Sequence, residues 1–356
     1  MLSKVRFPLM ALGMLALLTA LWGGLVRLGW GWPLPWPTLF IAHGPLMVCG
    51  FLGTLIGVER AVALGVFWPY AAPLLTAVGT LALLTGLPAP PLMTLGSLGL
   101  VAIFVVIMRR QCALATGTMA LGALLWLVGN TCWLVGWPVP QVVPWWSGFL
   151  VLTIAGERLE LSRLLRLSVL HHIMFLLAVS LLLAGLLLLA LGLAYGGRVI
   201  GLGMLALAWW LLQYDIARRT VWQTGLTRFI AVCLLSGYAW LGVGGVLTWR
   251  FASVLAGPYY DAMLHTVFVG FIFAMIFGHA LIILPALLGR TTAPYHPALY
   301  VPLLLLHVSL LLRVLGDLMG WWPGRAWGGL LNALAVLLFL STMGCAAIRQ
   351  WLWCDA

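Results

Sequence analysis

Charged residues are scarce in this sequence. Only 7% of its 356 residues are Asp, Glu, Lys or Arg, and 64% are hydrophobic. A soluble chain carries about 25% charged residues, so water cannot be the main solvent of this one. Apolar runs of about 20 residues, the length that crosses about 30 Å of hydrocarbon, recur along the whole chain with short interruptions. The composition therefore predicts an all-α integral membrane protein and leaves no stretch for a soluble domain.

Cysteine motifs and a concentrated basic surface are lacking as well. The six cysteines form no C-x-x-C or C-x-x-C-H motif, which argues against a disulfide framework and against covalently attached haem. The net charge of +11 comes from arginines scattered between apolar runs, whereas nucleic-acid binding needs a folded basic face. We therefore expect the lipid bilayer, and not nucleic acid, as a partner.

Hydropathy predicts about twelve transmembrane helices. Lys4 and Arg6 precede a long apolar run that no small-residue cleavage site follows, so we interpret this run as an uncleaved first span. The predicted spans run approximately from 7 to 29, 37 to 62, 66 to 87, 89 to 108, 113 to 135, 139 to 160, 171 to 194, 198 to 216, 229 to 249, 258 to 288, 298 to 318 and 328 to 350.

The distribution of basic residues predicts the orientation of these spans. If the amino terminus is cytoplasmic, the cytoplasmic positions hold Lys4, Arg6, Arg60, Arg109, Arg110, Arg158, Arg163, Arg166, Arg218, Arg219, Arg228, Arg290 and Arg349. The outer positions then hold only Arg27, Arg198, Arg250, Arg313 and Arg325. This asymmetry satisfies the positive-inside rule and indicates an even number of spans. We expect a cell inner membrane location with both termini in the cytoplasm.

An internal repeat relates spans two, six and ten. Span two contains Gly50-Phe51-Leu52 and then Glu59-Arg60, and span six contains Gly148-Phe149-Leu150 and then Glu157-Arg158, 98 positions later (157 − 59). Span ten contains Gly270-Phe271-Ile272, with His279 where the other spans have Glu. The repeat predicts three four-helix arcs of the same orientation, and the alternative is chance similarity between apolar segments. The predicted units cover approximately residues 1–110, 111–219 and 220–356.

Two histidines within spans are candidate haem ligands. Ionisable groups inside spans are costly and are functional candidates by default. His43 lies about six residues into span two and His265 about seven into span ten, and both spans run from the outside inward. Two neutral imidazoles at matched depth on related helices suit the axial ligation of one low-spin haem. The alternative is that each imidazole hydrogen-bonds a neighbouring helix.

The segments around these histidines resemble those of a known family. Ala42-His43-Gly44-Pro45-Leu46-Met47 in span two, and His265 to Phe271 with Ala274-Met275 in span ten, are similar to the haem-ligand segments of haem-copper oxidase catalytic subunits. They are more similar still to those of the distantly related NnrS-type membrane proteins. The resemblance implies twelve spans in three arcs, with His43 and His265 as the ligands of a low-spin haem b. Its motifs cover about 40 residues.

Two departures from the oxidase pattern concern its oxygen-reducing centre. The oxidases have a histidine two residues before the span-ten ligand, where this chain has Met263. Their sixth span carries a copper-binding His and a Tyr, and neither residue occurs here from Trp145 to Glu160. We therefore expect no oxidase-type haem-copper binuclear centre. Copper stays an open alternative, although His171-His172 is predicted at the cytoplasmic start of span seven.

A third histidine in a span has two interpretations. His279 follows His265 by 14 residues, about 21 Å along a helix and on nearly the same face. This spacing resembles that of dihaem b-type cytochromes, and His307 would then be the partner ligand of a second haem. We favour the alternative, a proton-relaying polar cluster of His279 with Glu59-Arg60 and Glu157-Arg158. The Glu-Arg pairs alternatively only end the spans, with their side chains reaching the interface.

These features together predict a membrane b-type haem protein that acts in electron transfer or in a nitric-oxide-related response. A quinol or another redox partner would supply electrons. One alternative is a proton-coupled transporter that uses His279, Glu59, Glu157 and the helix break near Pro285. Another is a non-catalytic membrane subunit of a respiratory complex.

Overall fold

The structure is a computed structural model that describes residues 2–37, 39–288 and 294–354. Arg290, one of the predicted cytoplasmic charges, lies outside the described residues. The chain is 85% helical, and no strand occurs in the described part. These observations confirm the predicted all-α fold.

Twelve helical segments of the described chain are long and apolar enough to cross a membrane. They are, as spans one to twelve, Val5–Arg27, Leu39–Leu64, Trp68–Thr85, Pro90–Arg110, Leu114–Leu134, Val139–Leu165, Val169–Ala190, Gly196–Tyr214, Gly225–Arg250, Pro258–Leu287, Pro297–Met319 and Trp322–Arg349. Each predicted span has its counterpart within a few residues. The number of spans and the multi-pass membrane character of the protein are therefore confirmed.

Local signals in the sequence end several of these helices at membrane-crossing length. Span two ends at Leu64, because Gly65 adopts the left-handed conformation with φ 71° and donates its N–H to Ala61 O and Val62 O. Gly86 ends span three in the same conformation, with φ 77°. Residues with a Cβ rarely adopt this conformation, which is why glycine commonly follows the last helical residue.

The first compact unit, Met1–Glu157, holds spans one to five and most of span six. Small residues allow its helices to approach closely. A Cβ added at Gly57 would lie 3.1 Å from Pro73 Cβ of span three, and one added at Gly53 would overlap the Trp126 ring of span five. Close packing at small residues is the usual basis of helix association in a bilayer, where lipid competes equally for apolar surface.

The second compact unit, Arg158–Ala356, holds spans seven to twelve. Its consecutive spans also approach at glycines. A Cβ at Gly185 would lie 2.5 Å from Ile200 N, and one at Gly201 would lie 2.5 Å from Trp249 N, so spans seven, eight and nine pack backbone against backbone. The grouping of all twelve spans into three arcs remains a prediction.

Candidate functional site

His43 lies in span two and is held by span one. Its Nδ1 atom is 2.7 Å from the carbonyl oxygen of Ala20. The imidazole packs against Gly24, where an added Cβ would come within 2.8 Å of His43 Cε1. The absence of a side chain at Gly24 therefore makes room for the ring.

His265 lies in span ten and is held by the turn before it. It is the last residue of the α-helical segment Pro258–His265. Its Nδ1 atom is 2.9 Å from the main-chain oxygen of Asp261 and 3.4 Å from Asp261 Oδ1. The orientation of this ring is thus fixed within its own helix.

These contacts determine which ring nitrogen carries the proton. A carbonyl oxygen only accepts hydrogen bonds, so Nδ1 is the protonated nitrogen of both His43 and His265. In a neutral imidazole the lone pair then resides on Nε2, the nitrogen that would bind a metal. Metal-binding histidines almost always donate their other N–H to a carbonyl, a carboxylate or water. In both predicted haem ligands the nitrogen that would bind a metal is therefore Nε2.

A π-helix follows each of these histidines. The two π-helical segments, Leu46–Gly53 and Thr266–Phe273, are 220 positions apart (266 − 46), the same separation as that of Gly50 and Gly270 in the repeat. His43 and His265 are 222 positions apart and so stand two residues out of this register. Span six is α-helical at the corresponding positions. Because π-helices are rare and are frequent at functional sites, they distinguish spans two and ten from span six.

Asp261 links His265 to a group of buried charges in the second unit. Arg313 of span eleven donates to both Asp261 carboxylate oxygens, from Nε at 2.8 Å and from Nη2 at 3.0 Å. Arg325 of span twelve lies 3.7 Å from Asp261 Oδ1 and, through Nε, 2.9 Å from Oδ1 of the buried Asp317. Contacts among two aspartates and two arginines thus join spans ten, eleven and twelve.

Sequence reasoning missed both aspartates of this group. The chain has only seven acidic residues, and Asp261 and Asp317 both fall within spans. An acidic residue inside a span is rare and needs a partner there. Two features of the sequence could have identified these aspartates: the small number of acidic residues within spans, and the position of Asp261 one helical turn before His265.

His279 and His307, also within spans, differ from each other in tautomer. His279 Nδ1 is 3.2 Å from the carbonyl oxygen of Met275, so it donates as His43 and His265 do. His307 Nδ1 instead accepts from Trp240 Nε1 at 3.1 Å, so its proton is on Nε2. That Nε2 atom is buried and has no hydrogen-bond partner among the described residues. A protonated Nε2 cannot bind iron, and the predicted second haem therefore gains no support at His307.

Part of the predicted polar cluster is present in the first unit. Arg60 forms an ion pair with Glu157 and has its Nη2 atom 3.4 Å from Glu59 Oε1. All three side chains are largely withdrawn from the surface, with exposed fractions of 14% to 27%. The first Glu-Arg motif thus contacts the second across spans two and six. The membership of His279 in this cluster stays a prediction.

Arg158, the last predicted member of the cluster, pairs with a residue that sequence reasoning did not consider. It donates to Asp215 through Nε at 2.7 Å and Nη2 at 3.0 Å. Asp215 also accepts from the Tyr238 hydroxyl at 3.1 Å and from the Ala217 N–H at 2.7 Å. Arg158 is only 3% exposed, so its guanidinium is buried against other protein groups.

No group of three or more His, Cys, Asp or Glu side chains in the described residues has an arrangement that could hold a metal ion. The copper alternative therefore gains no support from the described residues. Ligation by two separate histidines, as in a haem, needs no such group.

Comparison with known proteins places the chain in a family. The family with the description "Domain of unknown function (DUF8744)" matches residues 6–348, which include all the candidate residues above. The chain belongs to this family. No curated protein matches the chain. The family therefore covers the twelve-span region nearly end to end and leaves the chemistry to be argued from the residues.

Proposed function

We propose that this protein is a membrane b-type haem protein in which His43 and His265 are the axial ligands. The observation that carries the proposal is the hydrogen bond from each Nδ1 to a main-chain carbonyl, at 2.7 Å for His43 and 2.9 Å for His265. It leaves on each Nε2 the lone pair that iron requires. The resemblance of both segments to haem-copper oxidase and NnrS-type proteins is a second, independent support.

The residues around His265 would hold it as a ligand. The main-chain oxygen of Asp261 accepts a hydrogen bond from the imidazole, and Arg313 donates two hydrogen bonds to the Asp261 carboxylate. Such outer partners fix the ring orientation of a ligating histidine and increase its basicity. Arg313 is thereby a positioning residue for His265.

Haem, when bound, would supply one-electron redox chemistry, which suits electron transfer or a nitric-oxide-related response. A lipid-soluble quinol is the class of reductant that we propose, because the described chain has almost no surface outside the bilayer for a soluble donor. Copper is not part of the proposal. The excess of arginines at the predicted cytoplasmic ends of the spans supports an inner-membrane location with both termini in the cytoplasm.

An absorption spectrum of protein purified from haem-supplied cells tests the proposal. We expect a Soret band and low-spin b-type bands in the wild type. His43→Ala and His265→Ala should each remove the low-spin signature or leave a five-coordinate haem. His296→Ala is the matched control, because His296 lies at a helix start outside the proposed site and its side chain accepts from Ala298 N. A wild type without a Soret band would refute the proposal.

A proton-coupled transporter is the second candidate, and the buried charges of the second unit favour it. Asp317 has a fully buried side chain, and its carboxylate faces Arg325 within the membrane-spanning part of the chain. Intramembrane carboxylates of this kind occur in ion and proton pathways. The test is proton uptake by liposomes that contain the purified protein. If the protein carries no haem, and the uptake is lost in Asp317→Asn, the transporter is established over the haem protein.

A further inference from the structure

A basic cavity lies in the second unit, where the connection between spans six and seven approaches the end of span eight. It has a volume of about 200 Å³, well above the roughly 10–15 Å³ that one water needs. Three arginines contribute to its wall, together with one imidazole, one phenol and one amide. The residues concerned are Arg166, Arg218, Arg219, His171, Tyr214 and Gln213.

The charge of this cavity is not balanced by protein. Its one carboxylate, Asp215, is held by the two hydrogen bonds from Arg158 described above. Arg218 donates to the neutral side chain of Gln213 at 2.5 Å. In the described residues, the side chains of Arg166 and Arg219 have no carboxylate partner. Three exposed arginines therefore line one small cavity.

His171 adds a neutral donor to the same wall. Its Nδ1 atom accepts from the Ser168 N–H at 3.0 Å, so its proton is on Nε2. The Tyr214 ring lies 4.4 Å away between centroids and supports the imidazole, and Trp210 Nε1 donates to the His171 carbonyl at 2.8 Å. The imidazole is therefore held by Ser168 and Tyr214, and the main chain of His171 by Trp210.

The backbone at Arg166 is left-handed. Among the described residues it is the only one other than glycine with a positive φ, at 50°. It ends the short helix Ser162–Leu165 and donates its N–H to Arg163 O. This conformation costs about 1–2 kcal/mol for a residue with a Cβ, so the position of this cavity-lining residue can be tested with glycine.

Exposed apolar side chains lie next to cavity-lining residues in the sequence. Leu164, Val169 and Leu170, which flank Arg166 in the sequence, are 75%, 76% and 63% exposed. A site with several arginines beside exposed aliphatic side chains combines the two chemistries of a phospholipid, a phosphate and an acyl chain. Basic pockets between transmembrane helices are known to bind anionic headgroups.

We propose that this cavity binds the phosphate of an anionic phospholipid. Arg166, Arg218 and Arg219 pair with the phosphate oxygens, as guanidinium groups do in charge-assisted hydrogen bonds. His171 donates through Nε2, and the acyl chains lie along Leu164, Val169 and Leu170. The predicted topology assigns the site to the cytoplasmic leaflet. The proposal does not depend on haem.

Native mass spectrometry of the detergent-purified full chain tests the proposal, with phosphatidylglycerol and phosphatidylcholine as probes. We expect the wild type to bind one phosphatidylglycerol at least tenfold more tightly than phosphatidylcholine. Arg218→Gln with Arg219→Gln should abolish this preference. The matched control, Arg109→Gln with Arg110→Gln, removes an adjacent arginine pair at the end of span four, outside the cavity, and should leave the preference within twofold. Equal losses in both double variants would overturn the proposal in favour of general charge attraction.

Arg166→Gly separates binding from folding. Glycine adopts the φ of 50° without strain, so we expect this variant to be at least as stable as the wild type but to bind phosphatidylglycerol at least fivefold more weakly. Unchanged lipid binding in Arg166→Gly would overturn the assignment. Competition with inorganic phosphate tests the source of the phosphate group. Displacement of the lipid by micromolar phosphate would overturn the lipid in favour of a soluble phosphate ligand.

Discussion

Replacing Asp215 by Asn should destabilise the protein strongly, because the change removes the carboxylate that neutralises a buried guanidinium. Asp215 accepts four hydrogen bonds in the structure, two of them from Arg158, whose side chain is 4% exposed. Breaking a buried ion pair from one side costs about 3–5 kcal/mol. Asparagine keeps the size of the side chain and one acceptor, so we expect a loss at the lower end, roughly 3 kcal/mol.

The measurement is denaturant-induced unfolding in mixed micelles, followed by tryptophan fluorescence. Tyr238→Phe removes one neutral donor to the same carboxylate and should cost only about 1 kcal/mol. Replacing both partners, with Arg158→Met and Asp215→Leu, should recover much of the loss, because apolar residues of similar volume often substitute for a buried pair. A loss below about 1 kcal/mol in Asp215→Asn, or no recovery in the double variant, would refute the reasoning.

Two further predictions concern packing and the neighbour of His265. Gly270→Ala should cost roughly 1–3 kcal/mol, because its Cβ would lie 2.5 Å from Trp240 Cγ, whereas Gly344→Ala, with nothing within 4 Å, should cost nothing in the same unfolding assay. Arg313→Lys should shift the low-spin haem bands, because lysine cannot form the bidentate pair with the Asp261 carboxylate that positions His265. Bands identical to those of the wild type would contradict the positioning role of Arg313.

The sequence alone was enough to predict the twelve spans, because each span is encoded by residues that are contiguous in the chain. An apolar run of membrane-crossing length with a terminal glycine, such as Leu39–Leu64 before Gly65, needs no partner to be recognised. The π-helices could not be predicted this way. The sequence showed that Gly50 and Gly270 belong to a repeat. Only the structure shows that both segments are π-helical, because a run of apolar residues does not distinguish a π-helix from an α-helix.

The partners of charged side chains could be predicted only in part, because they are distant in the chain. The Glu-Arg motifs were recognised in the sequence as equivalent, yet Arg60 contacts Glu157 whereas Arg158 contacts Asp215, 57 positions away. The choice depends on which helix lies opposite, and no local pattern encodes it. The same holds for His43, whose protonation follows from a carbonyl 23 positions earlier, at Ala20.

The tautomers of these histidines give the haem proposal a further test at His307. Iron needs a lone pair on Nε2, which the carbonyl contacts leave on His43 and His265, whereas His307 presents a buried N–H there because Trp240 donates to its Nδ1. Replacing His307 by Phe should therefore leave the haem spectrum intact, whereas replacing His43 by Ala should remove the low-spin signature. Loss of the low-spin bands in His307→Phe would contradict this assignment of the ligands.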